Sequence, residues 1–392
     1  MKYIMITGAQ MNNKGAQAML FTTINELSKT FPEHKFIMLS DAKLEDKEKQ
    51  YQFDIMQVNK KSKLHFAGGF FRALSKGVGG KLKDQEQLDE TLKQTDLLVD
   101  VSGFALSSKF SFKGCINYLA NISMAKSYNI RTFLMPQSFG PFDYKPAQGL
   151  IIKRLMKKLL PYAEIIYARE KQGYELIKQY SPKNLTSSLD LVLQGGKYDL
   201  SKIFTGTYEP VKLDVKPSSV AVVPNVKTIE HSSKEKVLNV YKTVVRDIVS
   251  KQKNVYLIAH SFEDIALCKD IKSLFPDEDN VILIEEEYNS IDFLDILSKF
   301  EMVVASRYHA TVHSLKIGVP VIVLGWAVKY NELLKYFDME EFAFRFDENI
   351  DVIQLNEKFD KMLDNREEVS ARIQLKAAEV KKNTIFSDIK PK

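Results

Sequence analysis

The sequence predicts an α/β protein built of two Rossmann-like, doubly wound halves facing a cleft. Three observations lead there. Apolar runs of strand length alternate with amphipathic segments of helix length, the order of a mostly parallel sheet covered on both faces. The alternation stops in mid-chain and then resumes. The chain has 392 residues, 45% of them hydrophobic, enough for two cores of ordinary size.

In the first half the strand-like runs are KYIMITG (2–8), KFIMLS (35–40), DLLVDVSG (96–103), IRTFLMPQS (130–138) and EIIYARE (164–170). Their Val, Ile, Leu and Tyr content suits buried parallel strands. Residues 195–219 hold glycines and prolines without helical or strand periodicity, as a linker would. The second half resumes with SVAVVPN (219–225), VYLIAHS (255–261), VILIEEE (281–287), FEMVVAS (300–306) and VPVIVLG (319–325). The expected domains are therefore 1–200 and 215–345. A charged, helically spaced tail at 350–385 is expected to pack as helices across the halves.

Composition narrows the function classes. No run reaches the roughly 20 apolar residues that span a bilayer. The N-terminus enters a strand pattern instead of a signal peptide, so a cytoplasmic protein is expected. Cys115 and Cys268 are far apart and in no ligand spacing, which argues against a disulfide framework or a zinc site. The charge, 56 Lys+Arg minus 50 Asp+Glu or +6, is mild, and no nucleic-acid motif accompanies it. An anionic substrate or membrane surface fits better than nucleic acid.

Ligands of open α/β sheets bind beyond the carboxyl ends of the strands. In the first half those ends carry GAQMNNKG (8–15), Ser102-Gly103, Gln137-Ser138 and Arg169-Glu170; in the second they carry Pro224-Asn225, His260-Ser261 with Glu263 and Asp264, and SRYHATVHSLKIGVP (306–320). In the last stretch a buried strand runs into a helix, with Gly318 placed as its C-cap and Pro320 just beyond. Arg307 and His309 fall at the helix start, where unpaired amides and the dipole favour an anion. A guanidinium fork suits phosphate or carboxylate, and a histidine beside an anion can serve as a general acid. The alternative is an Arg307 paired to an acidic neighbour and a satisfied core histidine. His313 lies one turn on, but Ala310 stands where a zinc H-E-x-x-H motif needs glutamate; it reads as packing, with metal binding the lesser option. Trp326 is read as core, with sugar stacking as the other option.

The block SRYHATVHSLKIGVPVIVLGWAVKYNELL resembles the C-terminal signature of the polysaccharide pyruvyl transferase family through Ser306, Arg307, His309, Gly318, Pro320 and Lys329. Supporting matches are the N-x-G loop at Asn13 and Gly15, PQSFGPF (136–142), YARE ending at Arg169-Glu170, and AHSFED (259–264). The family loop is commonly N-x-G-D, whereas Ala16 follows Gly15 here, so Gln17 or Asp100 would have to supply any role of that aspartate. The resemblance implies a GT-B-like fold and transfer of a pyruvyl group from phosphoenolpyruvate onto a sugar diol as a ketal, in bacterial surface polysaccharide biosynthesis. It implies His309 and Arg307 as catalytic, with Arg169, Ser306, His260 and Lys329 on the donor. Asn13, Gly15, Gln17, Asp100, Gln137 and Ser138 would meet the acceptor. No metal or cofactor is expected beyond the donor substrate.

Residues 60–83 hold seven Lys/Arg and no acid before Asp84, interleaved with Phe66, Phe70, Phe71 and Leu74. Such a segment can lie on an anionic membrane, which suits a lipid-linked acceptor, and LIIKRLMKKLL (150–160) can extend that face. An ordinary basic loop and a half-buried helix are the plainer reading. Two competing functions remain. A nucleotide-sugar glycosyltransferase would use an acid such as Glu332 or Glu340 to hold the nucleoside. A non-catalytic polysaccharide-assembly protein would have less use for Arg307 with His309.

Overall fold

The computed structural model describes residues 2–41, 50–75, 82–326, 328–346, 348 and 350–391. The chain divides into two compact units. The first comprises residues 1–10, 19–208 and 385–392; the second comprises 11–18 and 209–384. The division at Tyr208/Glu209 falls inside the stretch expected as a linker. Residues 11–18, expected in the first half, belong to the second unit, and so do the tail helices. Only residues 385–392 return to the first unit. There the Tyr167 hydroxyl donates to Asp388 at 2.7 Å and Arg131 Nη1 donates to the Lys390 carbonyl at 2.7 Å.

The first unit runs β1 (Lys2–Thr7), α1 (Lys14–Thr30), β2 (His34–Ser40), β3 (Asp54–Gln57), α2 (Lys60–Phe66), α3 (Gly69–Leu74), α4 (Leu82–Lys93), β4 (Thr95–Asp100), α5 (Phe112–Ser127), β5 (Arg131–Gln137), α6 (Pro146–Leu159), β6 (Ile165–Ala168), α7 (Lys171–Lys178), β7 (Leu185–Ser187) and α8 (Leu191–Gln194). The first five residues of α1 count with the second unit. Its sheet is parallel in the order β3-β2-β1-β4-β5-β6-β7. The inner strands are sealed on both faces: Ile4, Met5, Ile6, Leu97, Leu98, Val99, Phe133 and Leu134 have no exposed surface. That is why they read as unbroken apolar runs.

The second unit continues with β8 (Ser219–Val223), α9 (Lys234–Ser250), β9 (Asn254–Leu257), α10 (Ile265–Lys272), β10 (Val281–Leu283), α11 (Ser290–Leu297), β11 (Met302–Ala305), α12 (Tyr308–Ile317), β12 (Val321–Gly325), α13 (Val328–Tyr336), β13 (Ala343–Arg345), α14 (Val352–Asp364) and α15 (Arg366–Lys382). Its six strands are parallel in the order β10-β9-β8-β11-β12-β13. Gly318 ends α12 at φ +81°, the left-handed cap its sequence position implies. A Cβ there would also collide with Gln374 of α15, which packs against α12.

All ten strands expected from the sequence form. Three more, β3, β7 and β13, lie at sheet edges, are three or four residues long and are partly exposed, so no apolar run marked them.

Candidate functional site

In the second unit β8 lies between β9 and β11, with Val222 beside Leu257 and Val223 beside Ala305. The carboxyl ends of three strands distant in sequence are therefore neighbours, and they deliver Asn225, His260 to Asp264, and Ser306 to His309. Asn225 donates to the Ser306 carbonyl at 3.2 Å and accepts from the Lys227 amide at 2.9 Å. Asp264 ties the three ends together. It accepts from the amides of Val226 and Ser261, both at 3.0 Å, and from Arg307, whose Nε lies 2.7 Å from Oδ2 and Nη2 2.5 Å from Oδ1. Arg307 Nη2 also donates to Glu263 at 2.6 Å.

This geometry modifies the expected role of Arg307. Burial by itself would lower the guanidinium, but Asp264 and Glu263 outweigh it and hold it more firmly charged. Burial pushes the Asp264 carboxyl up, against the pull of Arg307 and the two amides. Glu263 is held below its ordinary value by Arg307 and Lys227 in spite of partial burial. Two edges of the guanidinium are occupied, and only Nη1 carries no hydrogen bond among the described residues. Arg307 is thus first a strut between strand ends, with one nitrogen left for a ligand.

His309, second residue of α12, is half-buried. The loop 11–18 sits directly against it. A Cβ built on Gly15 would lie 2.3 Å from His309 Nδ1, so only glycine allows that approach. The loop is fastened on both sides. Asn13 forms an antiparallel bridge with Ser261 and its side chain accepts from the Ala16 amide at 3.1 Å. Gln17 Oε1 accepts from the Ser290 amide at the start of α11, at 2.6 Å. Asn13, Gly15 and Gln17, expected as acceptor ligands, therefore have a visible structural role, which is to seat the loop on the strand ends that carry His309.

Lys14, between Asn13 and Gly15, was not singled out by sequence. Its Nζ stands 4.4 Å from the centre of the Tyr288 ring, and burial lowers its ammonium to about 8, with Asp264 and Glu287 opposing and Arg307 adding to the fall. Tyr288 is a fixed platform, since its hydroxyl donates to the Ala259 carbonyl and its ring stacks on Phe293 at 5.9 Å. Glu263, Asp264 and Tyr288 complete the set; the first two follow the expected His260 closely in sequence, while nothing local marks Lys14 or Tyr288.

The other expected donor residues fare differently. Ser306 is wholly buried; its hydroxyl pairs with that of Tyr241 at 2.6 Å and its carbonyl accepts from Asn225 and from the Tyr330 hydroxyl at 2.9 Å. It holds the strand end and offers a ligand no free group. His260 is 2% exposed, neither ring nitrogen has a hydrogen-bond partner among the described residues, and its ring meets those of Phe293 at 5.1 Å and His313 at 6.2 Å. Burial, followed by His313, Lys14, Arg307 and His309, drives its imidazolium well below the usual range, so it is a neutral packing group. The His313 ring lies 5.4 Å from that of Phe293. Lys329, at the start of α13, lies 4.9 Å over the Tyr308 ring. Trp326 is only half-buried and stacks on the exposed His231 at 5.2 Å and 19°, so it is not the core residue the sequence suggested. Glu332 and Glu340 line a cavity of about 560 Å³ together with Lys335, Arg345 and Gln354.

In the first unit, Arg169 uses its guanidinium on protein groups: Nη1 on Asp190 at 2.7 Å, Nε on Glu170 at 3.1 Å, and Nη2 on Ser138 at 2.7 Å and the Gly103 carbonyl at 3.1 Å. Its expected place on the donor gives way to a structural one, because a buried, saturated fork has no edge left for an anion. Ser138 also donates to Glu170 at 2.6 Å. Asp100 is buried, accepts from the Thr7 hydroxyl at 2.7 Å and the Ser102 amide at 3.0 Å, and is pushed up by burial. Gln137 has no exposed surface. Asp100 and Gln137 are interior groups at the strand ends, not ones displayed to a sugar.

A family model of polysaccharide pyruvyl transferases matches residues 13–327. The chain belongs to the polysaccharide pyruvyl transferase family, and on that ground it is a transferase of polysaccharide biosynthesis. No curated protein matches it in sequence. Among solved structures it is similar to the glycotransferase of kitacinnamycin (TM-score 0.57, 12% identity, 99% of this chain and 96% of that one). It is likewise similar to a glycosyltransferase from Rickettsia africae (0.57, 11%, 98% and 94%) and to the UDP-GlcNAc 2-epimerase from Methanocaldococcus jannaschii (0.55, 10%, 93% and 93%). At such identities the likeness establishes the fold, which is GT-B-like, and nothing about substrates.

Proposed function

We propose that the protein transfers the pyruvyl group of phosphoenolpyruvate onto two hydroxyls of a sugar, as a ketal, on a polysaccharide or lipid-linked precursor. The observation that carries this reading is the seating of the Lys14-Gly15 loop on His309, beside the Arg307–Asp264 pair, in a chain of this family. A donor bearing phosphate and carboxylate needs positive charge, and an enol phosphate attacked at C2 needs a proton at its methylene carbon. His309 gives its proton to the methylene carbon, which becomes methyl, and C2 accepts the first sugar oxygen. The C2–O bond to phosphate then breaks, and the second sugar oxygen closes the ketal. Two hydroxyl protons are released; one replaces that of His309 and the other leaves on phosphate. Arg307 Nη1 and Lys329 face the donor in this scheme, which calls for no cofactor beyond the donor substrate.

The acceptor's lipid is a further part of the reading. On α6, Lys153, Arg154, Lys157 and Lys158 are exposed opposite the buried Ile152, Leu155, Met156 and Leu159, and Leu150 is 54% exposed. On α3, Phe70 and Leu74 are exposed next to Arg72. These groups suit an anionic membrane face. Lys63 does not take part: it is buried and paired with Asp41 at 2.7 Å. Residues 76–81 of the basic segment lie outside the described residues. No described helix is long and apolar enough to cross a membrane.

A nucleotide-sugar glycosyltransferase is the second reading, favoured by the cavity that Glu332 and Glu340 share. Supplying purified protein with lipid-linked acceptor and either phosphoenolpyruvate or nucleotide sugars separates the two. Phosphate release with phosphoenolpyruvate alone supports pyruvyl transfer; consumption of nucleotide sugars alone overturns it.

A further inference from the structure

We propose that Lys14 joins Arg307 Nη1 and Lys329 in taking the donor's phosphate or carboxylate, a specificity-determining residue that no motif assigned. The inference rests on the pyruvyl-transfer reading for the identity of the donor and on geometry for the residue.

The cations of the site differ in what they already hold. Arg307 is bidentate on Asp264 and shares Glu263. Lys227 answers the other side of Glu263 at 3.8 Å and Glu230 at 2.9 Å. Lys14 makes no ion pair and no hydrogen bond among the described residues; what it rests on is the Tyr288 ring. An ammonium resting on an aromatic face is attracted to the ring without an oxygen acceptor, so N–H donors remain for an anion. The charged and titratable groups around it are Asp264, Glu287, Arg307, His260, His309 and Tyr288. Asp264 has no vacancy for it, since two amides and two guanidinium nitrogens already occupy its oxygens.

The backbone holds Lys14 in place. The Asn13–Ser261 bridge, the Gln17–Ser290 bond and the Gly15–His309 contact bracket it on both sides. A lysine held on the Tyr288 ring, next in sequence to the glycine that His309 packs against, is placed to meet the phosphate or carboxylate while His309 addresses the carbon. Its lowered affinity for protons gives the prediction a second signature: an anion bound there raises it again.

The test uses the full-length chain and its Lys14→Met and Lys14→Arg variants, each first checked for an unchanged melting temperature. Calorimetry with phosphoenolpyruvate, and separately with inorganic phosphate, is expected to show binding at least about tenfold weaker in Lys14→Met and partly restored in Lys14→Arg. In turnover the donor KM rises while the acceptor KM holds, and the basic limb near pH 8 moves upward in Lys14→Arg. On reductively methylated protein, the Lys14 resonance titrates near 8 and shifts upward when phosphate is added. Equal phosphoenolpyruvate affinity in Lys14→Met and wild type overturns the proposal even if wild type forms ketal. A wild type that forms no ketal but binds phosphate through Lys14 sinks the pyruvyl-transfer reading and leaves the anion site standing.

Discussion

Arg307 and Asp264 clamp two strand ends across a third: the fork after β11 grips the carboxylate that follows β9, 2.7 Å and 2.5 Å apart, over the end of β8. The pair is well shielded, with 13% of the Arg307 side chain and none of Asp264 exposed. Removing one partner of such a pair leaves the other buried and uncompensated, at a cost of about 3–5 kcal/mol. Asp264→Ala also strands the Val226 and Ser261 amides. Urea unfolding is expected to show a loss in that range, and a loss near zero would mean that the clamp is not what orders these ends.

His309→Gln should leave the unfolding midpoint close to wild type, because its ring is half-buried at a helix start. The same change should cut turnover about 10²–10⁴-fold, the usual worth of a positioned acid. Steady-state phosphate release measures it, and full activity would remove His309 from the chemistry.

Gly15→Ala tests the loop. Its new Cβ needs space that His309 Nδ1 occupies at 2.3 Å, so ring or loop must move by an ångström or so. A misplacement of that size costs about a hundredfold in rate. The expected result is a kcat defect approaching that of His309→Gln, and a variant with wild-type kcat would show that the contact is slack.

His260 makes stability depend on pH. Its folded-state affinity for protons is lowered by burial, whereas the unfolded chain binds a proton near pH 6.5. Below that pH the unfolded state therefore carries more protons, and stability falls as pH drops, by about 1.4 kcal/mol per unit. Above it the contribution is constant. Denaturant titrations of wild type and His260→Leu between pH 7 and 5 should show the variant with the shallower slope; parallel slopes would contradict the buried neutral ring.

Charge reversal of Lys153, Arg154, Lys157 and Lys158 to Glu should abolish co-sedimentation with vesicles containing phosphatidylserine. Each basic residue near such a surface contributes about 1 kcal/mol. Binding that is indifferent to both the variant and the salt concentration would remove α6 from any membrane contact.

Much of this was legible in the sequence, for physical reasons. Inner parallel strands announce themselves as apolar runs, and Gly318 marked the end of α12 through the cap it must form. Arg307 and His309 were legible as a pair at a strand end. What Arg307 binds was not, because Asp264 and Glu263 arrive from the end of β9, and sequence does not say that β9 and β11 flank β8. The resemblance assigns Asp100, Gln137, Ser306 and Arg169 to ligands, yet at their strand ends all four are buried, and Asp100, Ser306 and Arg169 are taken up by neighbouring groups. Lys14 has no signature in the sequence, because a single lysine in a glycine-bearing loop gains meaning only from the loop resting on His309.

The most direct test of pyruvyl transfer is the isotopic mass of the product formed in D₂O. Wild type, given phosphoenolpyruvate and the lipid-linked acceptor, should yield a ketal with one solvent deuterium in its methyl group, in step with phosphate release, and His309→Gln should yield almost none. A product without deuterium, or phosphate released with no ketal formed, would contradict proton delivery to the methylene carbon and with it the proposed reaction.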